Sequence, residues 1–198
     1  MRILFFLATV MGWVVAAIPG SGSAEAGGGK TVVELFTSQS CYSCPPAEAY
    51  LGELVKRDDV IGLEFHVDYW DDLVYGSAGR WKDVYSSPAH TERQRLYNRN
   101  IRDTGQIYTP QMVIDGRAEA VGSRRSTVEA TIDAQAQNPR LRLDVTIANS
   151  AGGGRAVTID GPLKASAAVW LARFERAHVT QVKAGENKGK TLTNHHVV

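Results

Sequence analysis

The stretch TVVELFTSQSCYSCPPAEAYLGELVKR, residues 31–57, decides the fold. Its opening run, TVVELF, is rich in β-branched residues and bounded by turn residues, which is typical of a strand covered on both faces. After a polar loop, Ala49, Leu51, Leu54 and Val55 recur at helical spacing and predict one apolar helix face. The following run, VIGLEFHV, indicates a second strand. Strand, helix and strand in this order predict a right-handed βαβ unit with parallel strands.

Two cysteines, Cys41 and Cys44, lie where that strand gives way to that helix. A chain of 198 residues can bury a core without disulfide staples, so these cysteines are not needed as scaffolding. A four-thiolate zinc site would require a second pair, which the sequence lacks. Because a helix N-terminus stabilises a thiolate, Cys41, on the loop side and nearest to solvent, is predicted to be the attacking thiol, with Cys44 resolving. The helix is expected to begin at Pro45.

The remaining sequence first continues the α/β pattern and then changes character. Ser87 precedes a proline and predicts the N-cap of a helix over residues 88–104. The dipeptide Asp115-Gly116 between two short apolar runs predicts a hairpin, and Ser123 is expected to cap the next helix. Beyond residue 140, the run LRLDVTIA alternates, and three further strands are predicted at RAVTI, at ASAAVWLARFE from residue 165, and at HVTQVKA. Together they predict an antiparallel sheet with one face in water.

The first 29 residues indicate export. One arginine precedes an apolar run from Ile3 to Ile18, and small residues suitable for cleavage follow. The run is shorter than the roughly 20 residues of a spanning helix, which favours a signal peptide over residues 1–26 rather than a membrane anchor. The protein is therefore expected in the periplasm or outside the cell, where a disulfide can persist. A net charge of +1 gives no indication of a nucleic-acid partner.

Two further ionisable residues are candidate helpers of the cysteines. An ionised Glu34 in the middle of a covered strand would be costly, so it could instead take a proton from the resolving cysteine. We favour the alternative that it pairs with an arginine. His66 could assist a thiolate, or join Cys41 and Cys44 in a copper or zinc site. We favour a hydrogen-bonded structural role for it.

An aromatic segment follows the second strand and permits two interpretations. Its large side chains could form a peptide groove near the cysteines, because aromatic residues are common anchors at interfaces. They could equally form a small satellite core under a long loop. The residues concerned are Tyr69, Trp70, Tyr75, Trp81 and Tyr85.

Two local patterns resemble the thioredoxin superfamily. FTSQSC has the spacing found before glutaredoxin cysteines, and Thr109-Pro110, followed by a strand and an Asp-Gly turn, is similar to the superfamily's cis-proline hairpin. In that superfamily the cis-proline lies opposite the CxxC pair, and the residue before it offers backbone groups to a bound peptide. The resemblance therefore implies that Pro110 is cis and that Thr109, together with Tyr42 between the cysteines, contacts substrate.

Five longer stretches together resemble an exported bacterial family, domain of unknown function 1223, from about Thr31 to the last residue. They are VVELFTSQSCYSCPPAEAYLGEL, FHVDYWD, SSPAHTERQRLYNR, YTPQMVIDGRAEAVGS and GENKGKTLTNHHVV. The resemblance implies an α/β, thioredoxin-like fold but no particular reaction. We expect a thioredoxin-like domain over residues 30–138 with an insertion at 69–104. A β-rich extension over residues 140–198, cut short at its end, is expected to follow.

Three functions are compatible with these patterns. In the leading one, an exported oxidoreductase without a cofactor acts on a disulfide- or thiol-bearing protein or a small thiol: Cys41 attacks, a mixed disulfide forms and Cys44 resolves it. The second is a copper or zinc metallochaperone using Cys41, Cys44 and His66. The third is a non-enzymatic interaction module with a structural disulfide. Catalysis requires that water can reach at least one of the two sulfur atoms and that Pro110 lies across from them.

Overall fold

We analysed a computed structural model, which describes residues 30–138, 143–150, 153–161 and 170–198. The elements in chain order are β1 (Thr31–Thr37), α1 (Pro45–Leu54), β2 (Val60–His66), a short 3-10 helix (Gly76–Ala78), α2 (Pro88–Arg102), β3 (Gln111–Ile114), β4 (Ala118–Val121), α3 (Arg125–Gln137), β5 (Asp144–Asn149), β6 (Arg155–Asp160), β7 (Glu175–Gln181) and β8 (Thr191–Val197). The predicted signal peptide lies outside the described residues. Within the described residues, no helix combines the length and apolarity needed to cross a bilayer.

Six strands form one mixed sheet in the order β4-β3-β1-β2-β8-β7. β1 and β2 are parallel, from Thr31 opposite Val60 to Thr37 opposite His66, and α1 connects them. β3 runs antiparallel to both β1 and β4. The predicted βαβ unit, the Asp-Gly hairpin and the α/β class are therefore confirmed.

The sheet separates two hydrophobic cores. Alternate residues of β1 point to opposite faces. Val33 and Leu35 pack with α1 and α3, whereas Phe36 packs beneath α2. Both faces of β1 are thus covered, as the run TVVELF predicted. The helix α2 belongs to this packing, since Tyr97 and Ile101 lie against the second core.

Local signals placed most helix boundaries correctly. α1 begins at Pro45 as expected, and the Ser87 hydroxyl accepts a hydrogen bond from the Ala89 N–H at the start of α2. Two details are wrong. Ala49 is exposed, because the buried side of α1 includes Glu48 instead. Ser123 does not cap α3, whose N-cap is Arg124.

The C-terminal strands divide between two sheets. β5 and β6 form an antiparallel pair, whereas β7 and β8 join the main sheet, where β8 lies parallel to β2. The predicted strand that starts at residue 165 lies partly outside the described residues, and residues 170–174 have no regular structure. Because β8 lies beside β2, the β-rich extension contributes directly to the sheet that carries the cysteines.

Candidate functional site

Cys41 and Cys44 form a disulfide at the N-terminal end of α1. The S–S distance is 2.13 Å and the Cα–Cα distance is 5.4 Å. Cys44 is the N-cap of the helix and takes helical backbone angles, although it precedes a proline. Its carbonyl accepts hydrogen bonds from the N–H groups of Ala47 and Glu48. The disulfide therefore lies at the positive end of the helix dipole.

Both cysteine side chains are completely buried, with 0% of their surface exposed. The prediction that Cys41 lies nearest to solvent is therefore wrong, and in this arrangement water reaches neither sulfur. The loop between β7 and β8, residues 182–190, contacts the backbone around Cys41, and we call it the covering loop. The Asn187 side-chain amide donates to the carbonyl oxygens of Gln39 and Cys41, each over 2.9 Å. The Glu186 carboxylate accepts a hydrogen bond from the Tyr42 N–H over 2.8 Å.

Further contacts hold the covering loop in place. The Lys190 ammonium lies 4.5 Å from the centre of the Tyr42 ring, which is itself 66% exposed, and donates to the Asn187 side chain. The Gly185 N–H donates to the Ala78 carbonyl over 3.0 Å. A Cβ atom at Gly185 would lie 3.1 Å from the Trp81 Cβ, and the glycine has φ +75°. A glycine at this position therefore lets the two segments approach closely.

A cluster of buried polar side chains lies on the α1 face of the sheet, beside the disulfide loop. The Thr37 hydroxyl donates to the Glu48 carboxyl over 2.7 Å. Nδ1 of His66 lies 2.7 Å from Asp83 Oδ2, and its Nε2 lies 3.4 Å from Glu64 Oε1, an ion-pair contact without hydrogen-bond geometry. All five side chains are at most 2% exposed. Such a group of charges inside a protein shifts proton equilibria strongly.

The surroundings in this cluster raise the pKa values of Glu48 and His66. Burial, together with the nearby Glu64 carboxylate, raises the pKa of Glu48 to about 8. Burial alone would lower the pKa of His66, but the Asp83 hydrogen bond and the Glu64 carboxylate outweigh burial and raise that pKa to about 10. At neutral pH, Glu48 is therefore protonated and His66 is an imidazolium.

β8 completes the cluster from the other side. Glu64 accepts hydrogen bonds from the Asn194 side-chain amide over 2.7 Å and from the His195 backbone N–H over 2.6 Å. The Gln39 amide donates to Asn194 over 3.2 Å, and the Gln39 backbone N–H donates to Asp83 over 2.7 Å. The loop that precedes Cys41 is thus tied both to β8 and to the segment after β2.

Glu34 lies apart from the cysteines. Its carboxylate points to the α2 face of the sheet, where Arg93 binds it through two nitrogens at 2.6 and 2.9 Å and the Tyr97 hydroxyl donates over 2.6 Å. Alternation along β1 separates this face from the one that carries α1. The arrangement is the arginine pairing that the sequence analysis favoured, so the structure does not bring Glu34 to the disulfide.

The Thr109–Pro110 peptide bond is cis. Because Gln111 pairs with Phe36, continuing the register places Pro110 beside Thr37, at the end of β1 that leads into the cysteine loop. The Thr109 hydroxyl accepts a hydrogen bond from the Trp70 ring N–H over 2.9 Å. Pro110 is thus at the expected end of the sheet, and the Thr109 side chain is oriented by Trp70.

The aromatic segment does not act as one group. Tyr69 and Trp70 pack against the core beneath α2, which agrees with the satellite-core interpretation. Trp81 instead contacts the loop that precedes Cys41: its ring N–H donates to the Gln39 side chain and its carbonyl accepts from the Ser40 hydroxyl. The Tyr85 ring lies between the rings of His66 and His178, 5.3 and 5.0 Å away.

The residues of the metallochaperone alternative do not form a metal site. Both ring nitrogens of His66 face carboxylates, and Cys41 and Cys44 are bonded to each other. Across the parts of the chain that the structure describes, no three His, Cys, Asp or Glu side chains are arranged to hold a metal ion.

Sequence reasoning missed Glu48 and the covering loop. The position of Glu48 near Cys44 could have been predicted from the sequence. Glu48 lies four residues after Cys44, and side chains at that spacing share a helix face. The covering loop had no such signal, since its contacts join residues about 145 positions apart in the chain.

The fold and the site define a mixed α/β protein with a CxxC disulfide between its first strand and first helix. The chain belongs to the family described as "Protein of unknown function (DUF1223)", whose profile matches residues 32–198. It is similar to the crystal structure of protein AGR_C_4864 from Agrobacterium tumefaciens, with a TM-score of 0.67 and 35% identity, over 85% of this chain and 69% of that one. None of the curated proteins matches the sequence.

Proposed function

We propose that this protein is an exported thiol-disulfide oxidoreductase with a thioredoxin-like domain. Its substrates are disulfide- or thiol-bearing proteins or small thiols. The observation that carries the proposal is the Cys41–Cys44 disulfide at the N-terminus of α1, with the buried Glu48 carboxyl one helical turn beyond Cys44.

The reaction uses the chain's own groups. A substrate thiolate attacks Cys41 Sγ, the Cys41–Cys44 bond breaks, and its electron pair passes to Cys44 Sγ. A second substrate thiolate then attacks the mixed disulfide and releases Cys41 as a thiolate. In sum, two substrate thiols become one disulfide while the protein disulfide becomes two thiols. The reverse sequence reduces a substrate disulfide, with Cys41 attacking and Cys44 resolving.

Glu48 suits the proton transfer that accompanies this exchange. Residues four apart in a helix have Cβ atoms about 5–6 Å from each other, so its carboxyl shares a face with Cys44. A group with a pKa of about 8 can both give and take a proton near neutral pH. Glu48 would protonate Cys44 when the disulfide opens and recover the proton when the disulfide closes.

The expected signal peptide supports a location outside the cytoplasm. A disulfide between two nearby cysteines persists in the periplasm or outside the cell, whereas cytosolic thiols are kept reduced. In that location the Cys41–Cys44 disulfide would be reduced to two thiols, and formed again, by exchange with substrate thiols and disulfides.

Two cysteine variants test the proposal. After incubation with a disulfide-bearing peptide, reduced Cys44→Ser should retain the peptide as a mixed disulfide at Cys41, whereas the matched control Cys41→Ser should retain none. Mass spectrometry of the intact protein measures the adduct. The third alternative, an inert structural bond, predicts no adduct in either variant and a wild-type reduction potential below about −300 mV. That result would contradict the proposed function.

A further inference from the structure

The segment between β1 and α1, residues 38–44, carries both cysteines, and we call it the cysteine loop. The covering loop binds mainly to its backbone groups. Asn187 donates to the carbonyls of Gln39 and Cys41, and Glu186 accepts from the N–H of Tyr42. These backbone groups flank Cys41, the sulfur that a substrate thiolate must reach. The covering loop therefore lies against the backbone on both sides of Cys41, and both cysteine side chains are 0% exposed in this arrangement.

We propose that the covering loop is an autoinhibitory cover, and that exchange at Cys41 takes place only after it moves away. The proposal rests on the proposed function and concerns its regulation. An attacking sulfur has to contact Cys41 Sγ directly, so the exchange rate depends on access as well as on thiolate reactivity. The closed arrangement gives no such access.

The covering loop can move without breaking the sheet. Its base is closed by two backbone hydrogen bonds, from Val182 N–H to the Lys190 carbonyl and from Gly189 N–H to the Val182 carbonyl. Gly185 and Gly189 both have positive φ, so they can absorb a change in backbone direction at low cost. The contacts that hold it closed, apart from Asn187, come from the exposed side chains of Glu186 and Lys190 and from one backbone bond to Ala78.

Asn187 is the principal anchor of the closed state. Its side chain is 0% exposed and makes two hydrogen bonds to the cysteine loop, while Lys190 binds its oxygen over 2.8 Å. Removing the amide leaves the β7 and β8 ladder intact but takes away both bonds to Gln39 and Cys41. Because each lost hydrogen bond shifts an opening equilibrium by about threefold, losing two should make the Asn187→Ala variant open about tenfold more often.

The test compares rates of disulfide reduction in the full mature protein. Wild type, Asn187→Ala, Glu186→Gln and the control Lys188→Ala, an exposed side chain of the same loop, are mixed with increasing dithiothreitol. Free thiols are counted by maleimide labelling and mass spectrometry. We expect the wild-type rate to level off at high dithiothreitol, where opening is limiting. We expect Asn187→Ala to be about tenfold faster, Glu186→Gln severalfold faster, and Lys188→Ala unchanged.

The outcomes separate the two proposals. If all four proteins are reduced at the same rate, in proportion to dithiothreitol, the cover does not exist but the oxidoreductase proposal stands. If none of them is reduced, the proposed function itself fails. Should Asn187→Ala not fold, as judged by circular dichroism, Glu186→Gln decides the question, because its carboxylate is exposed and its loss does not touch the core.

Discussion

At the scale of single residues, two buried glutamates on opposite faces of the sheet have different surroundings. Glu34 is bound by Arg93 through two nitrogens and by the Tyr97 hydroxyl. Glu48 accepts a hydrogen bond from Thr37, and burial together with the nearby Glu64 carboxylate raises its pKa to about 8. A carboxyl with a pKa of about 8 can exchange a proton near neutral pH.

The two glutamates should therefore respond differently to the same substitution. Glu48→Gln should slow thiol exchange at pH 7 by about a hundredfold, because the proton donor for Cys44 is lost. Glu34→Gln should leave the exchange rate unchanged and lower the free energy of unfolding by about 2 kcal/mol, through the weakened bonds to Arg93. Stopped-flow exchange and urea unfolding measure the two effects. Equal slowing in both variants would contradict a specific role of Glu48.

The sequence identified Glu34 as buried but not Glu48, and the reason is physical. Glu34 lies in the middle of a strand between the apolar residues Val33 and Leu35, so its burial can be predicted from the neighbouring sequence. Glu48 lies in a helix whose spacing places it at the margin of the apolar face. β8 packs against α1 and buries that margin, while Ala49 on the other side remains exposed. A contact with a strand more than 130 residues later leaves no local trace.

At the scale of secondary-structure elements, α2 depends on a well-defined N-terminus. The Ser87 hydroxyl accepts a hydrogen bond from the Ala89 N–H over 3.2 Å, and the Ser87 backbone N–H donates to the His66 carbonyl. Ser87 therefore joins the start of α2 to the end of β2. The helix that carries Arg93 and Tyr97 is fixed at that point.

Replacing this cap should cost stability in proportion to the lost bond. Ser87→Ala should lower the free energy of unfolding by about 1 kcal/mol, and the matched control Ser87→Gly by only a few tenths, because glycine is tolerated at an N-cap. Urea denaturation measures both. If alanine and glycine give the same loss, the side-chain cap contributes nothing measurable.

Elements with a local signature were predictable, and elements defined by distant partners were not. β1, β2, the Asp115-Gly116 hairpin and the start of α1 all follow from periodicity, turn chemistry and proline placement. The parallel pairing of β8 with β2 does not, because parallel strands need a long crossover and carry no turn signal of their own. The position of the covering loop depends on that pairing, because the loop joins β7 to β8. It could therefore not be predicted from the sequence.

At the scale of the whole molecule, the buried cluster should make stability depend on pH. The folded-state pKa values of Glu48 and His66, about 8 and about 10, both exceed their ordinary values. The folded protein therefore binds these protons more tightly than the unfolded chain does, and raising the pH favours unfolding. The lowered pKa values of the exposed Glu53 and Asp59 act only in acid, below this window.

We expect the free energy of unfolding to fall between about pH 7 and pH 10, above the range in which the lowered pKa of the half-buried His90 acts in the opposite direction. Glu48→Gln should flatten the part of the curve between about pH 7 and 8, and His66→Asn the part between about pH 7 and 10. Urea unfolding at a series of pH values measures the curves. Stability that rises from pH 7 to 9 would show that these two residues do not hold their protons as described.

The pairing of Glu64 with β8 also bears on how the protein acquires its shape during synthesis. Asn194 and His195, which follow Glu64 by 130 and 131 residues, supply hydrogen bonds to its carboxylate. When the nascent polypeptide has reached α3, the first two strands and the cysteine helix have been made, but the Glu64 carboxylate still lacks these two donors. This end of the sheet can be completed only after β8 has been synthesised and has paired with β2. Such a long-range pairing is a step that slows folding.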